Sequence, residues 1–488
     1  MARPLRAAVL TITTLLAYGG PPVIQAQATP SPAIRWAACP EEEKVQCGSL
    51  TVPADWAKPA GPKTTLAIAR RPAGDPKQRV GALFVNPGGP GGSAIDFTFG
   101  SESFFGAEVS KRFDIIGMDP RGVGRSSPVL CSQDLVDAKP SPLIDTPQQY
   151  AAVLTYNRRL AADCASRTGA HFAHVDTRSV AQDMDAVRAA LGLRQLSFYG
   201  ASYGTLLGQE YAQLYPSRVR ALVLDSVMDH SVDLAKFMVQ ETDAAQDSFN
   251  QFIAWCTRDT RCVLRGQDIR QLWSRVATRA KAGTLEDPYN RPVKLGLAKL
   301  IAAAFAAFYD PQWYSFAYYL RDAAGQVPTG RIAPQPIDVI DHSFPAVVCE
   351  DWRLPITGFA DLSNRMRVLR GRAPQMLASP LALDATVGCL GWPSPPDNPQ
   401  RALVHRPTLP PVLLINARHD PATAYPWSRQ VAAQFGPSTR LITYQGWGHV
   451  IYKRSPCIRS VTDRYLVSLQ MPPGHSCPAV EPEPFGVG

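Results

Sequence analysis

The chain has 488 residues, of which 45% are hydrophobic and 19% charged. That balance supports a sizeable core and excludes a disordered or low-complexity chain. The formal charge of +9 comes from bases dispersed along the sequence with no run of five or six, so the basic runs that nucleic-acid surfaces use are missing and no nucleic-acid partner is expected.

At the N-terminus, Met1 to Arg6 carries two arginines, Ala7 to Tyr18 is a short apolar run, and Ala26-Gln27-Ala28 is a small-residue cleavage pattern. Together they predict a secretory signal peptide over residues 1–28. The run is short for a membrane helix and is broken by Gly19-Gly20-Pro21-Pro22, so no stable membrane span is expected once the signal is cleaved. Export would deliver the chain to an oxidising space, either extracellular or the periplasm and cell envelope. There its ten cysteines, Cys39, Cys47, Cys131, Cys164, Cys256, Cys262, Cys349, Cys389, Cys457 and Cys477, would form disulfides. None sits in a Cys-x-x-Cys pair or at a zinc-like interval from histidine, so no metal is expected; no other cofactor is expected either. Spacing leaves the connectivity open; short loops such as Cys256 to Cys262 cost least to close, which favours neighbours pairing in order.

Thr29 to Trp36 reads as an exposed leader, and Cys39 to Cys47 as a stapled loop. Gly48 to Pro53 and Thr64 to Ala69 alternate like two antiparallel strands at a sheet edge. Gly81 to Asn86 is a continuous apolar run feeding Pro87-Gly88-Gly89-Pro90-Gly91-Gly92-Ser93, which suits a buried strand followed by a loop with exposed amides. Phe113 to Asp119 repeats that pattern. Val180, Met184, Val187 and Leu191 have helical spacing, and Leu196 to Tyr199 and Arg220 to Asp225 are the next strands. Strands alternating with helices in this way predict a doubly wound α/β fold with a mostly parallel sheet. From His230 to Pro395 the rhythm becomes helical and aromatic-rich, and buried-strand patterns return only at Pro411 to Asn416 and Thr439 to Tyr444. The expected layout is a signal peptide over 1–28, a first core part over 29–229, an inserted helical cap over 230–395, and a C-terminal core part over 396–488.

Gly200-Ala201-Ser202-Tyr203-Gly204 lies between a strand and a helix and reads as a nucleophile elbow, a tight turn that exposes the serine hydroxyl above a sheet. A serine nucleophile needs a base, and the base needs an acid to hold its tautomer. Asp420 and His449 follow the two C-terminal strands in the order such folds use, giving Ser202, Asp420 and His449 as candidate catalytic residues. Asp225 and Asp229 also follow a strand after Ser202 and are the competing acids. The oxyanion of the tetrahedral intermediate needs amide donors, expected from Gly88 or Gly89 and from Tyr203. The glycine run lacks the Gly-Lys-Ser/Thr ending of a phosphate loop.

These motifs, with Asp119-Pro120-Arg121-Gly122-Val123-Gly124-Arg125-Ser126, Ala346-Val347-Val348-Cys349-Glu350-Asp351 and Asp420-Pro421-Ala422-Thr423, resemble the alpha/beta-hydrolase fold. More narrowly, they resemble the secreted tripeptidyl aminopeptidases of actinobacteria, cousins of proline iminopeptidases. The resemblance implies an exopeptidase acting on peptides with a free N-terminus. It also implies that Glu350 and Asp351, which match the acidic cap motif, hold the substrate's protonated amine. Ala424 and Val450 depart from the family's usual residues beside the acid and the histidine, which bears on substrate length. An esterase or lipase with the same triad is the alternative within enzymes, and a non-catalytic hydrolase-fold binding protein the alternative outside them. The sequence does not bear on oligomeric state.

Overall fold

Twelve strands are found among the residues described by the computed structural model, which are 34–289, 292–325 and 339–484. In chain order they are β1 Ala37–Ala38, β2 Gln46–Pro53, β3 Lys63–Arg71, β4 Gly81–Asn86, β5 Phe113–Met118 and β6 Leu130–Ser132, followed by β7 Leu196–Ala201, β8 Val219–Asp225, β9 Val339–Asp341, β10 Val412–His419, β11 Arg440–Trp447 and β12 Ser476–Cys477. Ten of them form one sheet in the order β1-β2-β3-β5-β4-β7-β8-β10-β11-β12. The pairs from β5 to β12 are parallel, and the β1-β2-β3-β5 edge is antiparallel. The expected α/β fold with a mostly parallel sheet is therefore present.

Burial explains which strands read as continuous apolar runs. Every residue of β5 and β7 is buried, as are five of the six in β4, because helices cover both faces of the sheet. Neighbouring residues serve opposite faces: Phe84 and Phe198 pack into one core with Met184 and Leu207, while Leu83, Val85 and Tyr199 pack into the other with Tyr452. Each such side chain contributes about 1.5–3 kcal/mol when fully buried. The β2 strand, at the antiparallel edge, alternates exposed and buried instead.

The predicted helix at Val180 to Leu191 is Thr177–Ala190, its first turn closed by the Asp176 side chain, which accepts from the Ser179 amide at 2.8 Å. The leader behaves differently from expectation where it is described. Ile34 is buried beside Leu50 and Val52, and β1 extends the sheet one strand beyond the anticipated edge. An isoleucine finds apolar cover there because Gly48 leaves room: a Cβ at Gly48 would lie 2.5 Å from Ile34 Cγ2. The signal peptide over 1–28 and residues 29–33 lie outside the described residues.

Between β8 and β10 the described residues are mainly helical, with Leu234–Arg258, Ile269–Lys281, Leu297–Tyr309, Trp313–Gly325, Ser343–Asp351, Phe359–Arg372 and Pro380–Gly388. The short β9 pairs with β6, away from the main sheet. Aromatics of this segment pack mainly on one another, as Phe252 does on Trp255, Trp313 and Phe316. The described residues form one compact unit. All ten cysteines are paired, as Cys39–Cys47, Cys131–Cys164, Cys256–Cys262, Cys349–Cys389 and Cys457–Cys477. By restricting the unfolded chain such links contribute about 2–4 kcal/mol each.

Candidate active site

The turn after β7 is as tight as its sequence suggests. Ser202 has φ 56°, a left-handed conformation that costs a non-glycine residue about 1–2 kcal/mol. Hydrogen bonds offset the strain: the Ser202 amide donates to the Asp225 carbonyl at 2.9 Å, and the Ser202 carbonyl accepts from the Thr205 amide at 2.9 Å and the Thr205 hydroxyl at 2.6 Å. The flanking glycines are sterically required. A Cβ at Gly200 would lie 2.4 Å from the Gly204 carbonyl oxygen, and one at Gly204 would lie 2.6 Å from that of Asn86. Helix Gly204–Leu214 starts at once and is buried from Gly204 to Ala212, while Ser202 keeps partial exposure.

The loop after β4 crosses directly over this turn. Gly88, at φ 87°, leaves no space for a side chain, since a Cβ would sit 2.4 Å from the Ala201 carbonyl oxygen and 2.7 Å from the Tyr203 nitrogen. Its own amide donates to Asn86 Oδ1 at 2.9 Å. Gly88 is therefore committed as a donor and corrects the expectation of an oxyanion role; its function is to bring the loop close. Gly89 and Tyr203, in contrast, border the same cavity as Ser202.

Asp420 and His449 meet beyond the ends of β10 and β11. His449 Nδ1 donates to Asp420 Oδ1 at 2.9 Å and lies 3.1 Å from Oδ2. Asp420 also accepts the amides of Ala422 and Thr423 at 2.9 and 3.0 Å and the Thr423 hydroxyl at 2.9 Å. Burial opposes ionisation of this carboxyl, but His449 and the two amides outweigh it and hold it below the usual carboxylate range. The ring is fixed from behind by Tyr309, whose ring lies 4.7 Å away edge-on and whose carbonyl accepts the His449 amide at 2.7 Å. The other ring nitrogen, Nε2, is buried without a hydrogen-bond partner among the described residues. Such bonds often form only once substrate is present. Thr423 joins the two parts, bordering the Ser202 cavity and lying 3.5 Å from His449 Nδ1. His419 turns the other way, to Asp247 at 2.7 Å.

Glu350 and Asp351 do not reach the Ser202 cavity. On helix Ser343–Asp351 and the residue after it, Phe344, Val348 and Trp352 face the cavity at successive i+4 positions, which turns residues 350 and 351 away from it. Asp351 instead accepts from the amide and hydroxyl of Thr177, from Tyr203 Oη at 2.8 Å and from Asn398 Nδ2 at 2.8 Å. Glu350 accepts from Ser394 Oγ at 2.9 Å and the Asp397 amide at 3.3 Å. Burial pushes both carboxyls up to about 7.

The carboxylate that borders the cavity is Glu241, on helix Leu234–Arg258 one turn after Phe237. It is buried, accepts from Ser379 Oγ at 2.8 Å, and is pushed up to about 8, first by burial and then by the charge of Asp420. The sequence holds a signal for it: Glu241 is the one charged residue on the buried, largely apolar face that carries Leu234, Phe237, Met238, Ala245, Phe249 and Phe252, a place where an acid is rarely found without a partner. A larger groove of about 1010 Å³ runs past Leu383 and Asp384, while Leu381 and Ala385 on the same helix face the Ser202 cavity; none of the site residues borders that groove.

Residues 81–456 match the alpha/beta hydrolase fold family, and the chain belongs to it. It is an enzyme of the serine hydrolase class. Its relatives include the serine protease Hip1 of Mycobacterium tuberculosis, 31% identical over 88% of this chain and 87% of that protein. The tripeptidyl aminopeptidase of Streptomyces coelicolor is 31% identical over 89% and 84% of the two chains, and carboxylesterase B of Mycobacterium tuberculosis is 32% identical over 96% and 97%.

Proposed function

We propose that the chain is a secreted serine exopeptidase that releases short peptides or single residues from free N-termini. In this reading Ser202 Oγ bonds to the scissile carbonyl carbon while His449 Nε2 takes its proton. Asp420 holds the imidazole in the tautomer with Nδ1 protonated and stabilises its charged form. The amides of Gly89 and Tyr203 receive the oxyanion, a donation worth about 3–4 kcal/mol per donor in comparable sites. As the C–N bond breaks, His449 returns the proton to the leaving amine, and water then cleaves the acyl-enzyme by the same route reversed. Helical segment 230–395 acts as a cap, supplying Phe237, Phe344 and Glu241 to the cavity.

The observation that carries the peptidase reading is Glu241, a buried acid with no cation beside it among the described residues, in the cavity that holds Ser202. A protonated α-amine is the partner that such a carboxyl lacks. Peptidase relatives along most of the chain support the same reading. Five disulfides and the leader pattern support export, and no helix among the described residues is long and apolar enough to cross a membrane.

An esterase is the second reading, favoured by the apolar cavity wall of Met228, Phe237, Phe344 and Val348 and by the carboxylesterase relative. The deciding experiment compares aminoacyl, dipeptidyl and tripeptidyl substrates with their N-acetylated forms. The exopeptidase reading expects the free-amine forms to be cleaved much faster; equal rates would remove it.

A further inference from the structure

Asp225 competes with Asp420 in the sequence as the acid behind the histidine, and its carboxylate makes no hydrogen bond to the imidazole. It holds the chain on which that imidazole is mounted. Oδ1 accepts the Ile451 amide at 3.0 Å and Oδ2 accepts the Tyr452 amide at 3.0 Å. The neighbouring Ser226, at φ 61°, accepts the Val450 amide on Oγ at 2.8 Å. With the His449 amide on the Tyr309 carbonyl, every backbone N–H from 449 to 452 has a fixed partner. Tyr199 Oη at 2.7 Å and Ser226 Oγ at 3.3 Å complete the carboxylate's contacts. On its other side, the Asp225 carbonyl accepts the Ser202 amide at 2.9 Å. One fully buried residue thus grips the serine turn by its main chain and the histidine loop by its side chain.

We propose that Asp225 is a positioning residue that fixes the 449–452 loop relative to the Ser202 turn and thereby aims His449 Nε2 at the serine. The inference rests on the reading of His449 as the general base. The geometry calls for a carboxylate because two amide donors approach two different oxygens. With asparagine in place of Asp225, one of those positions would be an NH₂ facing an N–H, and the loop would have to move to relieve it.

The test uses the full chain and counts working sites by end-point titration with a fluorophosphonate probe. Asp225→Asn is expected to titrate to the same end point as wild type, with kcat per titrated site lower by roughly 10–100-fold and KM within about twofold, because a misplaced base costs turnover more than binding. Ser226→Ala removes the acceptor for the Val450 amide and the long hydroxyl contact to Asp225 Oδ1 while leaving the Asp225 carboxylate on the Ile451 and Tyr452 amides, and kcat per titrated site should fall in the same direction by about 3–10-fold. An unchanged kcat per titrated site in both, with only a lower unfolding midpoint, would make Asp225 a plain structural anchor and overturn the proposal. Should Asp225→Asn not fold, Ser226→Ala decides by the same criterion. His449→Ala in the same series keeps the two readings apart: wild-type labelling rates there would remove the general base itself, whereas a dead His449→Ala beside a fully active Asp225→Asn would remove only the positioning role.

Discussion

At the rim of the sheet, Ser202, Asp420 and His449 follow the C-terminal ends of β7, β10 and β11, whereas the helical segment reaches the Ser202 cavity through single faces of Leu234–Arg258, Ser343–Asp351 and Pro380–Gly388. The rim residues are placed by main chain: glycines that admit no Cβ, a left-handed serine, and amides that end on Asp225, Ser226 and Asp420. The helical residues are placed by rotation about an axis, and a shift of two positions turns a side chain from cavity to interior. Backbone placement leaves fixed motifs in a sequence; rotational placement leaves only a periodicity that must be phased against an unseen neighbour.

The largest effects should come from the rim. Ser202→Ala is expected to remove activity by at least about 10³-fold and to abolish fluorophosphonate labelling while leaving the unfolding midpoint near wild type, since only an oxygen is lost. Asp420→Asn should cost about as much, because the amide would favour the wrong imidazole tautomer. Retained turnover in Asp420→Asn would shift the acid role to another carboxylate and break the rim half of the contrast. A single methyl at Gly204 tests the steric claim instead. Its Cβ would meet the Asn86 carbonyl oxygen at 2.6 Å and its side-chain oxygen at the same distance, so Gly204→Ala should lower stability by about 1–3 kcal/mol, read from denaturant unfolding.

Glu241→Gln is the intermediate case and carries opposite signs in two measurements. For free-amine substrates KM should rise about 10–100-fold with kcat little changed, while N-acetylated substrates should be unaffected. Stability should move the other way. Burial raises the Glu241 carboxyl to about 8 from its ordinary 4.5, so the stability present below pH 4.5 is lost as pH rises through 8. Glutamine avoids that loss and should raise stability at pH 8 by about 2 kcal/mol or more. Wild-type kcat/KM on free-amine peptides should climb between pH 6 and 8 as Glu241 ionises, and an N-acetylated substrate should show none of that component. A Glu241→Gln enzyme that loses both substrate classes equally would make Glu241 a part of the scaffold.

The same contrast decides what could be read without coordinates. The buried strands were legible because continuous runs such as Gly81 to Asn86 and Phe113 to Met118 have both faces covered. The Asp420–His449 contact was legible from strand ends and chain order. Gly88 was half legible: its glycine was needed for close approach, but its amide was already taken by Asn86, a local bond that composition does not reveal. Ile34 was misread as leader because its partner is a gap above Gly48 rather than a pattern. Glu350 and Asp351 were misplaced because a motif match gives residue types without the phase of their helix. Glu241 left a trace, an acid on a largely apolar helix face, whose partner Ser379, capping helix Pro380–Gly388, is brought to it only by the fold.

Glu350→Gln is expected to have the smallest effect, and it sharpens the comparison most directly against Glu241→Gln. Its carboxyl is tied to Ser394 and the Asp397 amide behind the helix, and glutamine can keep an acceptor toward one of them. KM for free-amine peptides should stay within about twofold of wild type, since no contact with substrate is lost. Burial raises this carboxyl to about 7 from 4.5, so its contribution to stability is present below pH 4.5 and lost as pH rises through 7; glutamine should therefore be neutral or mildly stabilising at pH 8. If Glu350→Gln instead raised KM as steeply as Glu241→Gln, the helix Ser343–Asp351 would have to rotate to bind substrate, and the face now presented by Phe344, Val348 and Trp352 would belong to a closed, substrate-free state.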